Sequence, residues 1–138
     1  MLCMRMSFIS LLFMVNLFLP IESSEGAEET EMYDVMEVTA TTYTPSVRET
    51  DSTPLVTASG FKINPKNPKK HRIIAVSRDL KRKYKFGTRV KVSGAGKYSG
   101  EYVVRDVMNK RYRKRIDILI GKKDKQTKFK NVKIRKVS

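Results

Sequence analysis

The chain has 138 residues and a formal net charge of +15, from 29 Lys and Arg against 14 Asp and Glu. A single cysteine (Cys3) rules out disulfides within the chain, a single histidine (His71) rules out multi-histidine zinc sites, and both argue against Ser-His or Cys-His catalysis. The chemistry left is that of carboxylates, hydroxyls and cations, with no metal and no cofactor expected.

The length predicts one domain once the N-terminal segment is set aside. Residues 1–26 read as a secretory signal peptide. Arg5 precedes an apolar stretch from Met6 to Leu19, then Pro20 leads into the small-residue run Ser23-Ser24-Glu25-Gly26-Ala27. That apolar core is shorter than the roughly 20 residues a spanning helix needs, so no stable membrane anchor is expected after cleavage. The mature chain is accordingly expected to be secreted or periplasmic. It would lack Cys3, and loss of Arg5, Glu22 and Glu25 would move the net charge from +15 to +16.

Residues 27–35 form an acidic leader with few apolar groups. The folded domain is expected over residues 36–138. Its first strand is Val38-Thr39-Ala40-Thr41-Thr42-Tyr43, rich in β-branched residues. A long polar connection follows, punctuated by Pro45, Pro54, Gly60, Pro65 and Pro68. Further strands are expected at Ile73–Val76, Thr88–Val92, Glu101–Val104, Arg115–Ile120 and Val132–Val137, separated by turn signals. Residues 78–84 and the charged run after Gly121 are expected as short helices. Six short strands in so small a domain predict an all-β fold, a closed six-stranded barrel, since closure leaves no long edge exposed.

Charge is distributed unevenly. Residues 28–51 hold seven acids and one base, Arg48, whereas residues 52–138 hold 27 bases and five acids. Such a basic body suits a polyanionic partner, and for an exported chain an anionic cell-wall polymer or membrane face comes before nucleic acid. The run from Lys110 to Arg115 and the interleaved tyrosines look like a nucleic-acid patch, but export argues against that partner. Two of the five acids, Asp106 and Asp117, interrupt apolar strand segments, in Tyr102-Val103-Val104-Arg105-Asp106 and Ile116-Asp117-Ile118. Carboxylates in such surroundings concentrate at functional sites. The bland alternative stays open: Asp106 neutralises Arg105 and Arg115, and Asp117 points outward to a lysine or arginine.

The ordered segments Thr39–Tyr43, Thr57-Ala58-Ser59-Gly60, Ile74-Ala75-Val76, Phe86–Val90, Tyr102–Asp106 and Arg115-Ile116-Asp117 resemble the three-aspartate (3D) domain. That domain belongs to the double-psi β-barrel superfamily. It is found in membrane-bound lytic transglycosylase A and is more distantly similar to rare lipoprotein A and the expansins. The resemblance covers roughly residues 38–137. It implies a double-psi barrel acting on peptidoglycan, with Asp117 as catalytic acid and base and Asp106 assisting it. Thr41, Tyr43, Asp51 and Ser59 would contact substrate, and Arg105 and Arg115 would bind its carboxylates. Two departures stand out. Ser77 occupies the place of the family's first aspartate, with Asp51 or Asp79 as possible substitutes. The glycine-rich segment usual after the second aspartate is replaced by residues 107–112. The resemblance also leaves room for a non-catalytic, expansin-like wall-binding module. A monomer is expected.

Overall fold

The computed structural model describes residues 34–46 and 53–137. The segment expected as a signal peptide, most of the acidic leader and Asp51 lie outside the described residues. Six strands close into a barrel: β1 (Met36–Tyr43), β2 (Ile73–Val76), β3 (Arg89–Ser93), β4 (Gly100–Val107), β5 (Arg115–Leu119) and β6 (Lys128–Lys136). Around the barrel they run β1-β5-β2-β4-β3-β6 and back to β1. The β1–β5 and β2–β4 pairs are parallel, and the other four pairs are antiparallel. Every strand anticipated from the sequence is present, with β1 beginning earlier, at Met36, and β6 earlier, at Lys128.

The two segments expected as short helices are turns. Between Ser77 and Phe86 the amides of Leu80, Lys81 and Lys83 reach back three residues, and only the Tyr84 amide reaches back four, to Leu80. A segment this short cannot repay the cost of helix nucleation. Its conformation is set instead by burial of Leu80 and Tyr84, which are 4% and 0% exposed, at one end of the barrel. After Gly121 the chain turns at once, with the Asp124 carboxylate accepting the Gly121 amide at 2.9 Å. Among the described residues the only helical turns are the 3-10 segments Pro68–His71 and Gly96–Tyr98.

Alternation along the strands fills the barrel interior. Val38, Ala40, Ile74, Val76, Val90, Val92, Val104, Ile116, Ile118, Val132 and Ile134 form one buried cluster. A second cluster lies outside the barrel wall, where Tyr43, Ile73, Ala75 and Leu119 are covered by Leu55, Phe61 and Ile63. The long polar connection is therefore no loose loop. Val56 bridges to Lys62, the Thr57 amide donates to the Phe61 carbonyl at 2.9 Å, and Gly60 turns the tip with φ of +82°. This flap explains why all four residues of β2 are buried: the strand has the core on one face and the flap on the other. The end of the leader is also held, by an ion pair of 2.8 Å between Asp34 and Lys83.

Candidate active site

Strand register assembles the site. Thr41 on β1 lies opposite Asp117 on β5, Asp117 lies opposite Ala75 on β2, and Ala75 lies opposite Asp106 on β4. Four neighbouring strands thus contribute one row, Thr41, Asp117, Ala75, Asp106. Two interstrand steps of about 4.8 Å put the Cα atoms of the aspartates about 10 Å apart. Ala75 between them carries only a methyl group, which leaves room beside it for the Tyr43 ring of the same cluster.

A break in register is what brings Asp106 into this row. Ile74 pairs with Val104, but Ala75 pairs with Asp106, so Arg105 is an extra residue in β4. Side chains alternate along a strand, and Tyr102 and Val104 point into the core. Without the bulge Asp106 would follow them inward. The inserted residue turns it to the outer face that Ala75 and Asp117 share. The bulge leaves the Arg105 carbonyl out of the ladder with β2, and the flap amide of Ser59 donates to it at 3.1 Å.

The two carboxylates are held differently. Oδ1 of Asp106 accepts the backbone amides of Ala58 and Val107, each at 2.9 Å, and its Oδ2 faces the Tyr43 hydroxyl at 3.5 Å. The flap and the strand end therefore clamp Asp106. Asp117 accepts the Thr41 hydroxyl on Oδ1 at 2.9 Å and is half-buried between Ile116 and Ile118. Tyr43 sits near both. Burial pushes its hydroxyl well above the ordinary tyrosine range, and the negative charges of Asp106 and Asp117 push the same way. Tyr43 therefore remains a neutral donor toward Asp106.

These groups open onto a cavity of about 870 Å³, whose lining includes Tyr43, Ala58, Ala75, Asp106, Asp117, Arg78, Arg111 and Tyr112. Of the residues singled out from the sequence, Asp106, Asp117, Thr41 and Tyr43 come together. Ser59 does not line the cavity: its hydroxyl pairs with Thr57 at 3.0 Å on the exposed flap tip. The flap contributes the amide of Ala58 instead, which side-chain reasoning could not flag. Arg105 lies over the Phe61 ring at 5.2 Å, and Arg115 over the Tyr112 ring at 4.7 Å. The cations lining the cavity are Arg78 and Arg111, neither of which stood out within a strongly basic sequence. Arg111 is positioned by Tyr112, to whose hydroxyl it donates at 2.7 Å.

Ser77 and Asp79 form a separate structural unit. Ser77 is fully buried at the end of β2, and its hydroxyl accepts the Arg115 amide at 3.1 Å. Asp79 accepts the Lys114 amide at 3.0 Å. Desolvation raises the Asp79 pKa, but the Ser77 hydroxyl, backbone amides and the Arg113 charge together outweigh it and bring it below the usual carboxylate value. Asp79 is thus committed to the turn entering β5, where Lys114 has φ of +45°. Ser77→Ala should cost about 1–3 kcal/mol of stability, because it strands the Arg115 amide without an acceptor. It should leave the specific activity of the folded fraction unchanged. Chemical denaturation paired with an activity assay would check this, and a large activity loss at unchanged stability would assign Ser77 a role at the site.

Among the described residues no group of three His, Cys, Asp or Glu is arranged to hold a metal ion, and no helix is long and apolar enough to cross a membrane. No protein-family model and no curated protein sequence matches the chain.

Proposed function

We propose that the protein is an exported peptidoglycan-cleaving enzyme of the lytic transglycosylase kind, built on a double-psi barrel. The observation carrying this reading is the placement of Asp106 and Asp117 on either side of Ala75, facing one groove, with unequal hydrogen bonding. Asp117 is the acid and base, and Asp106, held by two backbone amides, supports it. Asp117 protonates the glycosidic oxygen between N-acetylmuramic acid and N-acetylglucosamine, and the bond from that oxygen to the muramyl anomeric carbon breaks. The muramyl 6-hydroxyl then bonds to the same carbon and returns its proton to Asp117, closing a 1,6-anhydro ring. The cycle needs neither a water nucleophile nor a second ionised nucleophile, unlike two-carboxylate hydrolysis. Arg78 and Arg111 supply cations for the carboxylates of the polymer's peptides.

Mass spectrometry of peptidoglycan incubated with the purified protein tests the reading. Anhydro-muramyl products are expected. Ordinary reducing ends would replace transglycosylation by hydrolysis at the same pair. Wall binding with no product at all would turn the assignment to a non-catalytic, expansin-like module. That second reading draws support from the cations of the β3–β6 face, where exposed Lys91 lies opposite half-buried Arg135.

A further inference from the structure

A second, smaller cavity of about 190 Å³ shares no residue with the carboxylate groove; Lys69, Arg72, Lys97, Tyr98, Tyr102 and Asp124 are on its wall. Three cations from two turns line it beside one carboxylate: Lys69 and Arg72 come from the turn Pro68–His71 and its cap, and Lys97 from Gly96–Tyr98. Asp124 is already engaged, by Lys69 at 3.4 Å and by the Gly121 amide at 2.9 Å. Arg72 is fixed in place from several directions. Its backbone is left-handed with φ of +52°, its guanidinium lies 4.0 Å over the Tyr102 ring, and its Nε donates to the Glu101 carbonyl at 3.0 Å. Gly100 makes room for it, since a Cβ there would collide with the guanidinium. Lys97 stands 5.1 Å from the centre of the Tyr98 ring. Tyr98 contributes its buried ring to the wall.

We infer that this cavity is a binding site for a phosphate group, held by Arg72, Lys97 and Lys69. Two surplus cations, one of them a guanidinium fork, match an anion with several acceptor oxygens. The volume equals that of about six waters at roughly 30 Å³ each, enough for a phosphate but not for a run of sugar residues. The exposed Lys91 and Lys133 of the β3–β6 face serve as the control. The site stands independently of the peptidoglycan reading.

Nuclear magnetic resonance titration of the full chain, at constant ionic strength, tests it with inorganic phosphate and dimethyl phosphate. Saturable shifts are expected at Arg72, Lys97, Tyr98 and Gly100. Lys97→Gln, at an exposed position, should weaken binding about tenfold or more, the scale of one lost charge-assisted hydrogen bond. Tighter binding of inorganic phosphate identifies a free phosphate as the ligand, and tighter binding of the diester identifies a phosphodiester. Shifts that never saturate and spread across Lys91, Lys133 and Arg135 would overturn the site. So would a Lys133→Gln variant that loses as much affinity as Lys97→Gln.

Discussion

Asp117→Asn should reduce muropeptide release by about a hundredfold to ten-thousandfold, the range for removing a positioned general acid and base. The substitution is close to isosteric, and its amide oxygen still accepts the Thr41 hydroxyl that Asp117 holds at 2.9 Å. Barrel stability and wall binding should therefore stay near those of the unaltered protein. What is lost is a proton that can be given and taken back. Asp106→Asn should cost less. Its oxygen can keep both backbone amides, and the Tyr43 hydroxyl can rotate to accept from the new amide. Product quantification by mass spectrometry, alongside thermal melts, separates the cases. If Asp117→Asn releases the same products within a few-fold of the normal rate, Asp117 is not the acid, and the proposed division of labour between the two aspartates fails with it.

Ile118→Ala should destabilise the protein by about 2–5 kcal/mol, the usual cost of truncating a large aliphatic side chain in a packed core. Ile118 is 1% exposed, lies opposite Ile74 on β2 and pairs with Thr42 on β1. The loss is a sizeable share of the roughly 5–15 kcal/mol that holds a typical domain folded. The position also matters for the site, because Ile116 and Ile118 lock the strand that presents Asp117 outward. Urea denaturation measures the stability change. Activity measured on the folded fraction then reports whether a looser β5 still presents its carboxylate. A change below about 0.5 kcal/mol, typical of surface substitutions, would mean that the interior is not packed as described.

How legible the architecture was in the sequence varied by element. Strands β2 and β5 announced themselves as short apolar runs, and β3 as a strict alternation of exposed cations with buried valines. The start of β6 was hidden because Lys128, Phe129, Lys130 and Asn131 break the alternation. Asn131 takes a left-handed φ of +56° where the register against β1 slips. The turn after β2 looked helical because its polar residues have fair helix propensity. Tertiary burial of Leu80 and Tyr84 overrode that weak preference. The flap was the least legible part. Its prolines and glycine signalled irregular chain, while its use as a cover for β2 and a clamp for Asp106 depends on backbone amides that no side-chain pattern encodes.

The sequence by itself determined the available chemistry: one thiol near the N-terminus, one imidazole, an excess of cations, and two carboxylates set among apolar strand residues. It also determined that six short strands must close on themselves. Only the tertiary structure decided that Asp106 and Asp117 meet. They lie on β4 and β5, consecutive in the chain but separated around the barrel by β2. Alternation assigns a side chain to a face only while the ladder is unbroken, and by that rule Asp106 follows Tyr102 and Val104 into the core. The bulge at Arg105 reverses the assignment, and it exists only because a particular neighbour, β2, sets the register. Which strand lies beside which is a property of the closed barrel, and the pairing of the two aspartates follows from that closure.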